Sequence, residues 1–368
     1  MSKPLRICHL TSVHLDGDIR IFHKMAKTMA SEFEVHVVVP NTQTRLQDGV
    51  HIHSFEANTT QRRIRMRQTV DLVLREALRV NAAIYQLHDP ELLRLVKPLQ
   101  ATGAKVIFDA HEDVPKQIMD KYWIPWLFRK LISLVYALYE KRISRRLDGI
   151  ISVTPSICAR FEKANPKVVL IQNFPLPDEF PAPDWSLKKA NHFCYIGGLY
   201  ASRGIKEVVL AMKEVDGHLH LAGSFDDPIL QAELEASSAW KKVTFYGQVG
   251  RTQIQEIVQK STVGIVTLHP TPSYKEAYPI KMFEYMAAGC AVLASDFPLY
   301  KSLLQEETCG RFVDPEDVQE IAQSLNDFIS NPTQTLAMGQ AARKRFETKY
   351  SWQQEALKLR QFYLDLHA

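Results

Sequence analysis

The chain has 368 residues, of which 46% are hydrophobic and 23% charged, with a net charge of +4. That composition excludes a disordered, collagenous or low-complexity chain, and the length suits two domains of ordinary size. No stretch holds the ~18 uncharged apolar residues of a membrane span, and Met1-Ser2-Lys3-Pro4 begins no signal-peptide pattern.

Short apolar runs then alternate with amphipathic stretches. Leu5–Thr11, Glu34–Pro40, Ala83–His88, Lys105–Asp109 and Gly149–Thr154 have the length and character of buried strands. Apolar periodicity predicts helices over Ile19–Ala30 and Gln68–Val80. Such alternation predicts a parallel sheet covered on both faces. Prolines 175, 177, 181 and 183 then crowd the stretch 173–183, which reads as a hinge-like linker because proline withholds backbone donors. Beyond it the alternation restarts with strands over His192–Gly197, His218–Ala222, Lys242–Gly247, Val263–Leu268, Ala291–Ser295 and Arg311–Val313. Helices over Thr333–Tyr350 and Ser351–His367 end the chain, with Ser351 as the expected N-cap of the second. The expected organisation is therefore a domain over 1–175, a second over 176–350, and a closing helix over 351–368 that packs back on the first.

Charge divides along the same line. Residues 1–175 hold 26 Lys and Arg against 17 Asp and Glu, a net of +9, while residues 176–368 hold 19 against 24, a net of −5. A basic front half implies an anionic partner there. Cys8, Cys158, Cys194, Cys290 and Cys309 are odd in number, form no CxxC pair and mostly sit in apolar runs. Reduced, buried thiols in a reducing compartment are expected.

The second half carries the most informative segment, Glu276-Ala-Tyr-Pro279-Ile-Lys281-Met-Phe-Glu284-Tyr-Met-Ala-Ala-Gly289. Pro279 suits a helix start, Glu284 then falls in the second turn, and Gly289 suits the residue past its end. A helix N-terminus after a strand attracts phosphate, and a carboxylate one turn in can accept both hydroxyls of a ribose. Glu276, on the preceding loop, can reach a sugar joined to the phosphates. Gly197-Gly198 follows the first strand of this half and lets a ligand approach the backbone, with Arg203 able to clamp a diphosphate.

This segment resembles the donor site of retaining glycosyltransferases of glycosyltransferase family 4, whose signature is E-x7-E followed by a small-residue helix end and a strand. The resemblance is strongest over 192–300. It implies the GT-B fold: two Rossmann-like, doubly wound parallel-sheet domains facing across a cleft, the first binding acceptor and the second binding donor. It implies that Glu284 binds the nucleotide ribose and Glu276 the donor sugar. Gly223 and Gly247 resemble loops that read the nucleobase edge. The family loop usually places a cation where this chain has Gly198 and a lysine where it has Arg203. Lys281 is the candidate substitute for the missing cation.

In the front half His111 follows a strand and resembles the family histidine beneath the donor sugar. The run His88-Asp89-Pro90-Glu91 resembles a segment of a bacterial subgroup. His88, Asp89 and His14 are candidates for the acceptor side, and Gly17, in the first strand–helix loop, for the diphosphate side. Asp16-Gly17-Asp18 superficially matches an Asp-x-Asp metal motif, but helix capping explains it better. His111-Glu112-Asp113 lacks the second histidine of a zinc protease motif. No metal and no other cofactor is expected, since the nucleotide-sugar is a substrate.

Two basic stretches complete the picture. Arg62, Arg63, Arg65 and Arg67 form one; Trp123, Trp126, Arg129 and Lys130 mix aromatics with cations in the other. They suit the inner face of an anionic membrane and a lipid-linked acceptor. The implied activity is transfer of a sugar from a nucleoside-diphosphate sugar, UDP- before GDP-, to a glycan or lipid-linked acceptor in bacterial surface polysaccharide synthesis. The implied location is cytoplasmic, peripheral on the inner membrane, with no nucleic-acid partner. The rivals are a GT-B-fold nucleotide-sugar epimerase or hydrolase and a non-catalytic membrane- or nucleic-acid-binding module. A dinucleotide dehydrogenase lacks its G-x-G-x-x-G.

Overall fold

The structure, a computed structural model, describes residues 4–58, 61, 65–120, 124–305 and 308–368. The chain divides into two compact units: residues 1–173 with 352–368, and residues 174–351.

The first unit is built on an eight-stranded sheet among the described residues. Its strands are β1 (Arg6–Leu10), β2 (Glu34–Pro40), β3 (Arg45–Gln47), β4 (Val50–Phe55), β5 (Ile84–Leu87), β6 (Lys105–Ala110), β7 (Gly149–Ser152) and β8 (Val168–Leu170). They run in the order β3-β4-β2-β1-β5-β6-β7-β8. All neighbours are parallel except β3 and β4. β1 is buried along most of its length and β5 along all of it, which is why they read as unbroken apolar runs. The pattern missed β4 because Val50-His-Ile-His-Ser-Phe55 mixes histidines into a half-exposed strand.

The closing helix, Trp352–His367, belongs to this first unit. Its Trp352 Nε1 donates to Thr28 Oγ1 at 3.0 Å, its Tyr363 hydroxyl donates to Gln86 Oε1 at 2.5 Å, and Glu355 accepts the Gln172 N–H at 2.8 Å. The expected serine cap is absent, since Ser351 Oγ is buried without a hydrogen-bond partner.

The second unit carries a six-stranded parallel sheet among the described residues: β9 (Lys189–Ile196), β10 (His218–Ala222), β11 (Val243–Gly247), β12 (Ser261–Val266), β13 (Ala291–Ser295) and β14 (Gly310–Val313). Their order is β11-β10-β9-β12-β13-β14. The proline-rich stretch is not the free linker its composition implies. Phe174 and Phe180 are each 2% exposed and join the core of this unit, and Arg343 Nη1 donates to the Phe180 carbonyl at 2.8 Å. The first division of the chain therefore falls at 173/174 rather than 175/176, because the Phe174 ring packs edge-on against Phe283 at 4.7 Å. The five cysteines are all free and buried. Among the described residues no helix is long and apolar enough to cross a membrane.

Candidate functional site

In the second unit the loops after β9, β10, β11 and β12 leave the sheet at its carboxyl end, where ligands of such sheets bind. The helix over Ile280–Ala287 is buried along most of its length, and one of its side chains ties it to the glycine loop. Tyr285 lies across Gly264 of β12, where an added Cβ would stand 2.1 Å from its ring, and its hydroxyl accepts the Ile196 N–H at 2.8 Å. Ile196 ends β9 and precedes Gly197-Gly198, so this bond ties the helix to the glycine loop. Pro279 caps the helix instead of opening it. Its far end closes with N–H bonds from Gly289 to Met286 at 3.0 Å and from Cys290 to Tyr285 at 2.9 Å, the Schellman pattern.

A cavity of about 220 Å³ opens among these loops, lined by Gly197, Gly198, Gly223 and the Gln248–Val249 pair. Gly223 sits at φ +148°, and a side chain there would meet the Gly197 carbonyl oxygen at 1.9 Å, so only glycine lets the two loops close on each other. Gly247 does not line the cavity. Its carbonyl accepts the Gly223 N–H at 2.8 Å and so sets the loop that does.

Lys281 is placed unusually. Its Nζ is out of solvent and has no hydrogen-bond partner. It lies 3.7 Å from the centre of the Tyr195 ring. Burial first, and then the like charge of Arg203, push its ammonium well below the ordinary lysine range, against the pull of Glu284. Arg203 itself stacks on Tyr200 at 4.7 Å, and a Cβ on Gly197 would stand 3.8 Å from its Nη1. The Arg203 guanidinium thus stands at the glycine loop, and Lys281, near the start of the helix, is close enough to feel its charge. An anion is what such a place accepts.

Glu284 is 7% exposed. Its Oε1 accepts from Arg251 Nη1 at 2.7 Å, and Arg251 also reaches Glu179 Oε2 at 3.0 Å. Arg251 went unnoticed in the sequence, where nothing ties it to a carboxylate 33 residues away. Glu276 is exposed on the loop between helices 272–275 and 280–287.

In the first unit, the loops after β1, β5 and β6 bring a polar cluster together. These strands are adjacent in the sheet, though their residues lie far apart in sequence. Asp109, wholly buried, takes both arms of Arg20, Nε at 3.0 Å and Nη2 at 2.7 Å. Its Oδ2 also faces His88 Nδ1 at 3.1 Å and His111 Nε2 at 2.9 Å. Burial raises the Asp109 carboxyl, but Arg20 and then His111 outweigh it and hold it well below the usual carboxylate range. With Nδ1–H aimed at that carboxylate, His88 accepts at Nε2 from His9 Nδ1, 2.9 Å away. Burial keeps both His9 and His88 below the ordinary histidine value, so both are neutral. His111 faces the same carboxylate through Nε2 and lies 3.2 Å from His88 Nδ1.

His14 stands apart electrostatically. Hydrogen bonds to Asp18 at 3.2 Å and Asp89 at 3.3 Å lift it to about 10. Asp18 also caps the helix at 19–26, accepting the N–H groups of Arg20 and Ile21 at 2.9 and 2.8 Å. Asp16 instead binds Arg45 at 2.6 Å. Gly17, exposed between them, has nothing within 4 Å of a built Cβ. His88, Asp109 and His111 offer ligand atoms within 4.8 Å of one another, the donor set of a metal site. Arg20 already donates to both oxygens of Asp109.

A second cavity of about 900 Å³ lies over this cluster, with His14, His88, Asp89 and His111 on its polar side. Of the basic patch, Arg67, Trp126 and Lys130 are exposed, while Arg129 Nη1 donates to the Met119 carbonyl at 3.1 Å. Arg62, Arg63 and Trp123 lie outside the described residues, as does the side chain of Arg65.

Comparison with known proteins covers both units. The profile of "Glycosyltransferase Family 4" matches residues 19–174, and that of "Glycosyl transferases group 1" matches residues 179–345. An uncharacterized glycosyltransferase of Methanocaldococcus jannaschii is 25% identical over 218 residues, which is 55% of each chain. This chain thus spans about half the length of that relative. Sucrose-phosphate synthase from Thermosynechococcus elongatus superposes with a TM-score of 0.78 at 19% identity, over 99% of both chains. The Anabaena protein HepE, solved with UDP and glucose, superposes at 0.73 with 14% identity, over 98% of this chain and 100% of its own. Both likenesses show a common fold.

Proposed function

The chain belongs to the GT-B glycosyltransferases of family 4 type, and on that premise we propose that it moves a sugar from a nucleoside-diphosphate sugar to a hydroxyl of a glycan or lipid-linked acceptor, with retention at the anomeric carbon. UDP is preferred to GDP as the carrier, in keeping with the nucleotide bound to HepE. The proposed setting is the cytoplasmic face of the inner membrane, in bacterial surface polysaccharide synthesis.

One observation carries the donor half of this reading. Lys281 holds a solvent-excluded ammonium without a hydrogen-bond partner, beside Arg203 and one residue into the helix that carries Glu284. A diphosphate supplies the missing partner. In the proposal the nucleobase occupies the cavity over Gly197, Gly223 and Gln248, and Glu284, oriented by Arg251, accepts the ribose hydroxyls. Glu276 contacts the sugar. His111, held beside Asp109, orients the reacting groups.

The chemistry asks most of the leaving group. As the bond from the anomeric carbon to the diphosphate breaks, charge grows on the phosphate oxygens. Arg203, Lys281 and the helix N-terminus stabilise it. The acceptor oxygen bonds to the anomeric carbon on the same face, and its proton passes to the departing phosphate oxygen. The protein's own cations carry this step in the proposal, without a divalent ion. A thermal-shift screen across UDP-, GDP- and dTDP-sugars tests it, since bound ligand raises the melting temperature. A flat response to all three would refute the donor assignment.

A further inference from the structure

The helix over Trp126–Ser144 leaves an apolar face uncovered. Leu127, Phe128, Leu131, Leu134, Val135 and Leu138 are 57–72% exposed. At about 3.6 residues per turn they share one side of the helix. Single exposed leucines need no explanation, whereas a contiguous stripe of large ones does. The exposed charge of this helix has one sign. Lys130 lies over the Trp126 ring at 3.9 Å near one end. Lys141, Arg142, Arg145 and Arg146 are exposed at and just past the other. Its one carboxylate, Glu140, is 2% exposed and paired with Arg160.

The same helix also walls the larger cavity. Ile132 and Tyr136 line it, together with Ile118 and Ile124 from the preceding segment, and His14 and His111 stand on its polar side. The Tyr136 hydroxyl is buried beside Glu140. One helix thus divides an uncovered apolar surface from a cavity that is apolar on this side and polar on the other.

We propose that helix 126–144 lies in the headgroup-to-acyl boundary of an anionic bilayer, and that the acceptor taken by the adjoining cavity is an amphiphile drawn from that bilayer. This rests on the glycosyltransferase reading above and narrows its acceptor to the lipid-linked class. The tail runs against Ile118, Ile132 and Tyr136, and the hydroxyl that receives the sugar reaches the His14 and His111 side. Charge decides the occupant of the outer face. Two copies of the helix packed stripe to stripe would bring cations near cations with no exposed acid between them. Anionic headgroups meet the same cations favourably, while the stripe and Trp126 take the place of an interfacial helix.

The test uses the whole chain and vesicles of phosphatidylcholine containing about a quarter phosphatidylglycerol, some doped with a diazirine-bearing polyprenyl phosphate. Wild type is expected to float with anionic vesicles and, after illumination, to carry adducts at Ile118, Ile132 or Tyr136. The variant Leu131→Ser/Leu134→Ser/Leu138→Ser, on an exposed face, is expected to lose vesicle binding at least roughly tenfold with its UDP thermal shift unchanged. Three results would overturn the proposal: wild type that ignores anionic vesicles, adducts confined to the outer stripe, or a wild-type dimer in solution that the triple variant abolishes. A wild type that floats but shows no UDP shift would instead defeat the donor assignment, so the two failures are separable.

Discussion

Replacing Lys281 by methionine should stabilise the ligand-free protein and weaken its hold on a nucleoside diphosphate. Methionine keeps the length and flexibility of the stem and removes the ammonium. That ammonium is costly where it stands, with Nζ out of solvent and unpartnered and with Arg203 adding like charge. An uncompensated buried charge costs ~3–5 kcal/mol, of which the Tyr195 face, 3.7 Å away, returns ~2 kcal/mol. The net gain on substitution is then ~1–3 kcal/mol, or ~2–12 °C in melting temperature for a unit of this size. The folded pKa lies below the ordinary value of 10.5, so the folded state binds fewer protons and the penalty eases as pH rises toward that value. The stabilisation by methionine should shrink accordingly. A charge-assisted hydrogen bond is worth ~1.5–3 kcal/mol, so diphosphate affinity should fall ~10–150-fold. Differential scanning fluorimetry reads both effects. At UDP near 100 times the wild-type Kd, wild type gains ~2.7 kcal/mol and the variant ~0.3–1.4 kcal/mol. A ligand-free melting temperature unchanged or lowered, with the UDP shift intact, would refute the reasoning.

Asp109→Asn should cost ~3–5 kcal/mol, because it strands the buried Arg20 guanidinium, and urea denaturation measures it. His14, lifted to about 10 by Asp18 and Asp89, should keep its imidazolium through neutral pH. Its stabilisation is full below the ordinary value of 6.5 and lost as pH rises through about 10, and its ring resonances in an NMR titration should stay fixed across neutrality. His36 and His220 behave oppositely. Burial lowers each to about 4, so stability falls as pH drops from 6.5 toward that value, visible as acid-shifted melting. Under the proposed metal-independent chemistry, transfer assayed with excess EDTA should proceed at the untreated rate.

Much of the architecture is legible in the chain. β1, β2, β5, β10 and β13 are short apolar runs because parallel strands are buried on both faces. The segment from Glu276 to Gly289, proposed to hold the donor, is legible for a different reason. Pro279, Lys281, Glu284 and Gly289 lie within one short helix and its caps, where spacing alone sets direction. What escaped reading depends on partners far along the chain. Arg251 gains meaning only where the helix over Arg251–Lys260 presents it to Glu284. Phe174 and Phe180 pass for linker residues until a core forms around them.

The sequence by itself determined the strand–helix rhythm, the division into two units and the short helix over 280–287 with its caps, because each follows from residues close along the chain. Only the tertiary structure decided which charges meet and which apolar residues stay outside. The strand order β1-β5-β6 brings Arg20 to Asp109 across 89 residues. Leu131 and Leu134 look no different in sequence from core leucines, and their exposure follows from packing that leaves this side of their helix uncovered. Periodicity says that a helix has an apolar face; what covers that face is settled by long-range packing, which local pattern does not encode.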